Sequence, residues 1–571
     1  MGGALLVGII AALASELPKV LHGAFPGFFW YAPWSVALVV VLSLGFQRLV
    51  EVMRWGNPRY DGLGDMMIHI HSPTHPDHPS RWGLRGIISF VLALFGIAAG
   101  PEGAAIEFAH GLELRGRSRS SRWFEQRRRT DTAIALAAGV AAAFGAPLAA
   151  VLLPLEMGIG GRTLSVAVAS LIAFLGSRLI DHLGSVGLLG AGGHRIDTFD
   201  ISGALTGFHF DTFSQWFGVL LVALIAGGLG VAVTQLIRYG RNSMADIAGK
   251  KIWLRTVIGG VLLYGLFRVL PQAQVPAWSL LEQVLWQKKT AGETVVLFFA
   301  ELLSIVLVLS AFGTAGVFWP IFTLGGLLGN ATAAGLLGAG PDFAAAAGLT
   351  GGAAFFGAAL GAPVAGAVLA FELTQNTNIL LPALIAAVVA RQVRFLTKAR
   401  TLVDHDLEAQ GIRLLEGRSV AVLEAIQVRD AMVADHETVH ELEALGELRG
   451  RLLRSRYPFL PVVNNQGIYS GFITVDMVRE SLEASEEEGQ VASSNVPLST
   501  LIEAKDLLYR SGFKTKTVRI TDTLSVTAGL FEEIPCVPVL DDQGKVVGLL
   551  FVHHVRLSYD REVARRAFIP A

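Results

Sequence analysis

Residues 144–156 read FGAPLAAVLLPLE, and residues 360–372 read LGAPVAGAVLAFE. The two runs match at a constant offset of 216 residues, with Ala146 on Ala362, Pro147 on Pro363 and Glu156 on Glu372. Proline cannot continue a helix from before it but opens one readily. Each run therefore predicts a helix that begins at its proline, inside an apolar region. Matching Gly-Ala-Pro breaks in two halves of a hydrophobic domain are the sequence pointer to inverted repeats. The binding site of such a domain is expected between the halves, near the membrane midplane, at the ends of broken helices.

The surrounding sequence agrees. Of 571 residues, 52% are hydrophobic and only 16% charged, against roughly 25% charged in a soluble protein. That shortfall excludes disorder and argues against an ordinary soluble enzyme. The 64 glycines follow no collagen-like period and suit helix–helix contacts in lipid. Lys and Arg number 46 against 47 Asp and Glu, so no global basic field points to nucleic acid. The single cysteine, Cys536, excludes a disulfide framework and a Cys-based zinc or iron–sulfur site.

Apolar runs fill residues 1–400, and Trp216–Val233 has no polar side chain at all, which is about enough to cross a bilayer. Several other runs are too short or too broken by Gly and Pro to span simply, a pattern that suits a transporter or channel. The opening MGGALLVGIIAALASEL lacks a basic segment before its apolar run, so it reads as a first membrane helix. Basic clusters at Arg115–Arg129, Arg238–Arg255 and Arg391–Arg400 read as cytoplasmic loops.

Three short segments carry candidate chemistry. Gly100-Pro101-Glu102-Gly103-Ala104 follows the apolar run Ile87–Ala99, and an ionisable residue at membrane depth is a functional hypothesis by default. Gly316-Val317-Phe318-Trp319-Pro320 breaks the second half in the same way; its glycine allows close backbone approach, and Pro320 suggests a helix start whose N–H groups face an anion. Gly62-Leu63-Gly64-Asp65-Met66 follows the Ser35–Phe46 run. Together and in this order these segments resemble the CLC family of chloride channels and proton/chloride exchangers. Gly100–Ala104 is similar to the family's Gly-Arg/Lys-Glu-Gly-Pro, departing at Pro101 and Ala104. Gly316–Pro320 matches Gly-x-Phe-x-Pro, and Gly62–Met66 resembles a degraded Gly-Ser-Gly-Ile-Pro.

The resemblance implies a polytopic all-α membrane protein with two inverted structural repeats, the CLC fold. It also implies a homodimer with one anion pore per subunit, in a lipid bilayer, the prokaryotic inner membrane. Chloride or another small anion is the expected partner. Glu102 is the expected gate: its carboxylate competes with the anion until it is protonated. The expected anion-binding positions are Gly62, Leu63, Gly64, Gly100, Gly103, Gly316, Val317, Phe318 and Val403, with backbone N–H groups near Leu63, Val317 and Phe318 as the donors. The departures bear on mechanism. Leu63 stands where the family has a serine hydroxyl. Aligning Thr401–Ile412 on the last membrane helix puts Val403 where it has a tyrosine. Met157 stands at the inner proton glutamate and cannot titrate. Glu156 lies about 100° of helix rotation away from that position and shares its repeat position with Glu372, which favours a structural role. These substitutions predict a channel or uniporter. A proton-coupled chloride or fluoride antiporter of the same family is the alternative.

Beyond the boundary at residue 400 the chain turns polar. Val428–Met432, Phe459–Val463 and Gly471–Thr474 form one unit; Cys536–Leu540 and Gly548–Phe551 belong to a second. Each reads as strand, glycine turn, strand, helix. This resembles a cytosolic α/β CBS-domain pair, with a linker over 401–424, modules over 425–484 and 497–571, and a polar linker over 485–496. The resemblance leaves two roles open: purely structural dimerisation, or a site for an adenine nucleotide (ATP, ADP or AMP) with Thr474 and Asp476 near the usual phosphate and ribose positions, and Phe551 and His554 replacing them in the second module. An enzyme would need a nucleophile–base pair or a metal cluster. His69, His71, His75 and His78, in a Pro-rich stretch, form the one histidine cluster to consider.

Overall fold

A computed structural model of the chain describes residues 2–24, 34–53, 55, 62–71, 78–115, 125–160, 162–185, 201, 205, 207–248, 251–286, 289–409, 426–455, 457, 459–480, 503–511, 517–524, 527, 531 and 536–567. It divides into two compact units, Met1–Leu414 and Leu415–Ala571.

The first unit is helical. Its elements are α1 (Gly2–Ala24), α2 (Trp34–Met53), α3 (Leu63–His71), α4 (Pro79–Leu94), α5 (Glu102–Arg115), α6 (Glu125–Phe144), α7 (Pro147–Glu156), α8 (Thr163–Ser185), α9 (Phe213–Ala248), α10 (Ile252–Val269), α11 (Ala277–Trp286), α12 (Ala291–Ala311), α13 (Phe318–Ala331), α14 (Pro341–Phe355), α15 (Pro363–Thr374), α16 (Leu380–Leu396) and α17 (Leu402–Ala409). Seven stretches among the described residues are long and apolar enough to cross a membrane. The helices α7 and α15 are shorter, as expected of broken helices that end inside a membrane domain.

The two Gly-Ala-Pro copies fold alike. Gly145 and Gly361 both take left-handed backbone (φ 63° and 77°). Ala146 and Ala362 then cap α7 and α15 with matching dihedrals (φ −124°, ψ 79° and φ −114°, ψ 69°). The turn needs glycine because L side chains avoid positive φ. The two helices pack on each other. Glu156, at the end of α7, accepts from the Val364 and Ala365 N–H groups (3.0 and 2.7 Å). Glu372, near the end of α15, accepts from Leu148 and Ala149 (2.9 and 2.8 Å). Both carboxylates sit on N–H groups that have no partner inside their own helix.

Two basic clusters depart from the loop reading. Arg241, inside α9, and Arg255, inside α10, are buried, and they donate to the carbonyls of Leu309 and Ser310. These carbonyls belong to the last turn of α12, where no intrahelical donor remains; the arginines serve as its C-terminal cap. Arg394, within the third cluster, is also buried and lies over Gly361. Most of Arg115–Arg129 falls outside the described residues. The first unit reaches Leu414 and so includes α17. The segment from residue 401 therefore begins as a packed helix of the membrane unit, where a linker was expected.

The second unit holds two three-stranded sheets of identical design. Its helices are α18 (Val428–Ala431), α19 (Leu445–Arg454), α20 (Ala504–Ser511) and α21 (Val552–Ala567); its strands are β1 (Val439–His440), β2 (Phe459–Val463), β3 (Tyr469–Thr474), β4 (Val518–Arg519), β5 (Cys536–Leu540) and β6 (Val546–Phe551). In each sheet the first strand runs parallel to the second and the second antiparallel to the third, with a bulge at the far end of that pairing. Of the expected linkers over 401–424 and 485–496, residues 410–424 and all of 485–496 lie outside the described residues.

Candidate anion pathway

Glu102 opens α5 and is fully buried. Its Oε1 accepts from the backbone N–H groups of Phe318 (2.9 Å) and Trp319 (3.0 Å), the first two residues of α13. The Phe318 and Trp319 N–H groups lie in a first helical turn, which offers them no intrahelical acceptor. The next residue is Pro320, which has no N–H. Oε2 has no hydrogen-bond partner from another residue among the described residues. The carboxylate therefore occupies an anion position at a positive helix end.

Glycine makes this approach possible. The Gly100 N–H donates to Gly316 O at 2.9 Å, and that of Gly103 to Gly100 O at 3.0 Å. A Cβ on Gly100 would overlap the Glu102 carboxyl, and one on Gly103 would lie 2.6 Å from Gly316 N. Gly100, Gly103 and Gly316 thus serve close backbone approach, and the N–H groups of Gly100 and Gly103 are already committed. The Val317 N–H likewise donates to Ala315 O at 3.0 Å. Of the expected donors near Leu63, Val317 and Phe318, Val317 is turned to its own loop, and Trp319 joins Phe318 on the carboxylate.

Trp319 is fixed by a stack on Phe144 (centroids 4.1 Å apart, planes at 10°) and by an indole bond to Ala143 O (3.3 Å). Behind the Gly100–Ala104 segment, Ala315 N–H donates to Glu107 Oε1 (3.0 Å), and the Ser89 and Thr314 hydroxyls pair at 2.9 Å. Gly62 takes φ +75°, and a Cβ there would collide with Thr314 O. This brings Gly62, Leu63 and Gly64, at the head of α3, against the loop before α13. Asp65 of the same turn forms a buried ion pair with Arg81 at 2.9 Å, and Arg85 donates to Gly313 O. The helices α3 and α17 pack together, with Leu63 and Val403 both buried. Both positions are apolar and offer no side-chain donor to an ion. Met157 is half-buried at the end of α7, with its N–H on Leu153 O at 3.0 Å.

Of the histidine cluster, His78 caps α4, accepting from Ser80 N–H (3.2 Å), and stacks on Trp55 (4.9 Å). His75 and the side chains of His69 and His71 lie outside the described residues. Among the described residues no His, Cys, Asp and Glu group of metal-site size occurs.

In the second unit, the Thr474 hydroxyl accepts from Met477 N–H (3.3 Å), and Asp476 forms an exposed pair with Arg479 (3.1 Å). His553 and His554 pack ring to ring at 3.9 Å beside Phe551. Burial lowers the pKa of both imidazoles and raises that of the Cys536 thiol.

A family model described as voltage gated chloride channel matches residues 49–394, more than half of the chain. The chain is a member of that family. A CBS-domain model matches residues 500–557. Among relatives of this CLC protein, the H(+)/Cl(-) exchange transporter ClcA of Klebsiella pneumoniae is 24% identical over 383 residues, covering 63% of this chain and 76% of that one. A solved eukaryotic CLC transporter aligns with TM-score 0.60 at 18% identity, over 96% of each chain. A CLC-type fluoride/proton antiporter aligns with TM-score 0.54 at 21% identity, over 71% of this chain and 96% of its own. The CLC fold and the helical membrane unit are as the sequence implied.

The site residue that sequence reading passed over is Trp319. The repeat offset points to its neighbourhood: extended outward, the same 216 residues place Gly100 on Gly316 and Glu102 on Phe318. It also places Arg178 on Arg394, and these two arginines lie over the paired turn glycines Gly145 and Gly361.

Proposed function

We propose that this CLC-family protein is a chloride (anion) channel or uniporter gated by Glu102. The observation that carries the reading is the Glu102 carboxylate on the Phe318 and Trp319 N–H groups. A halide needs such groups to replace part of its water shell. A carboxylate and a halide therefore compete for one position, and protonation of Glu102 ends the competition. Backbone donors suit conduction because binding must be favourable enough for entry and weak enough for exit. Leu63 and Val403 add no donor and Met157 no titratable group, which supports uncoupled movement. Gly62, Leu63, Gly64 and Val403 would line the central position, and Gly100, Gly103, Gly316, Val317 and Phe318 the gate.

The second reading is a proton-coupled chloride or fluoride antiporter. It is favoured by the names of the relatives, which include a chloride/proton exchanger and a fluoride/proton antiporter. Reconstitution into proteoliposomes separates the two. Under a pH gradient, an uncoupled pathway reverses at the chloride equilibrium potential, whereas an exchanger shifts the reversal and drives protons against their gradient. We also propose a homodimer in the inner membrane of a prokaryote, with a cytoplasmic CBS region that serves dimerisation or holds an adenine nucleotide at Thr474 and Asp476.

A further inference from the structure

A charged pair outside the residues above reaches the same site. Glu16 and Lys19 lie one turn apart in α1, with side chains only 2% and 12% exposed. The Lys19 ammonium donates to Glu16 Oε1 at 2.8 Å and to Ala143 O at 2.8 Å. Ala143 O is also the acceptor of the Trp319 indole at 3.3 Å. Trp319 is the residue whose backbone N–H holds Glu102. A single carbonyl oxygen thus joins an inward-turned cation to the tryptophan of the gate.

This placement is costly and specific. A lysine kept for packing extends its ammonium to water along an apolar stem. Lys19 instead turns inward, on a helix packed against α4, α5, α6 and α8. Pro101 brings no cation to the gate segment, and the Lys19 ammonium lies one carbonyl away from the Trp319 indole. Asp181 of α8 lies beside Glu16, and Arg178, one turn before it, lies over Gly145.

We propose that Lys19 is a field-setting residue of the anion path: its charge draws a halide to the Phe318 and Trp319 N–H groups, and Glu16, as counter-ion, keeps that attraction weak enough for release. The proposal rests on the reading that an anion competes with Glu102 at those groups.

The test is chloride affinity by titration calorimetry, with chloride flux from proteoliposomes, on the full chain carrying Glu102→Gln so that the gate does not compete. Lys19→Met should weaken chloride binding about tenfold, and Glu16→Gln should tighten it by about as much while slowing flux, as removal of one unit charge of opposite sign in each case implies. The double substitution should return close to the starting affinity. Shifts in the same direction, or none, overturn the proposal, because a packing role damages both variants alike. Should Lys19→Met fail to fold, Glu16→Gln decides alone: tighter binding supports the proposal, and weaker or unchanged binding overturns it. Absence of chloride binding and flux in both the wild type and Glu102→Gln would instead remove the underlying reading and this inference with it. Normal wild-type flux with same-direction shifts removes the inference alone.

Discussion

Glu156 and Glu372 exchange caps: the carboxylate of each lies on the two N–H groups that open the helix carrying the other. This reciprocity ties the repeats together at their broken helices. Glu156→Ala and Glu372→Ala should each lower stability by about 1–2 kcal/mol, the usual worth of an N-terminal cap. Thermal unfolding in detergent measures it. Unequal losses, with one variant untouched, would contradict the exchange.

Glu102→Gln should abolish the pH dependence of anion flux. In the wild type, flux should rise as pH falls, because the neutral acid leaves the Phe318 and Trp319 N–H groups to the ion. In the variant the rate should stay near the acidic wild-type level across the range. Flux assays from pH 5 to 8 on liposomes check both limbs.

Gly100→Ala should loosen the gate. The added methyl enters the volume of the Glu102 carboxyl, so either the carboxylate leaves its two donors or the backbone yields, at about 1–3 kcal/mol for overpacking. The measurable result is a lower unfolding temperature together with a flattened pH–flux curve.

Leu63→Ser should tighten chloride binding. A new charge-assisted hydrogen bond is worth about 1.5–3 kcal/mol, or roughly ten- to a hundredfold in affinity. Calorimetry reads the change directly. Unaltered affinity would mean that position 63 does not face the ion.

Cys536 should resist alkylation while its CBS module is folded. Its side chain is buried and burial holds the thiol protonated, whereas the thiolate is the reactive form. Modification by a maleimide at neutral pH should therefore follow denaturant-induced unfolding of that module. Fast labelling of the native protein would refute this.

Much of the architecture was legible in short range. Proline and glycine act on their own backbone, so the Gly-Ala-Pro copies predicted two helix starts, and both α7 and α15 begin at the expected proline. Glu102 was legible as an unusual charge in an apolar setting. The arginines were not. Arg241 and Arg255 look like a solvated cluster in one dimension, and only the fold supplies the bare carbonyls of Leu309 and Ser310 that bury them.

The linear order of residues determined the family, the doubled helical unit, the two sheets of the tail and the lone carboxyl at position 102. Those follow from local backbone preference and the distribution of apolar groups along the chain. Tertiary structure alone decided which N–H groups meet that carboxyl, that Trp319 takes the place expected of Val317, and that Lys19 comes within one carbonyl of it. Such pairings join residues more than a hundred positions apart, and a hydrogen bond depends on distance and angle in space, which no spacing along the chain encodes.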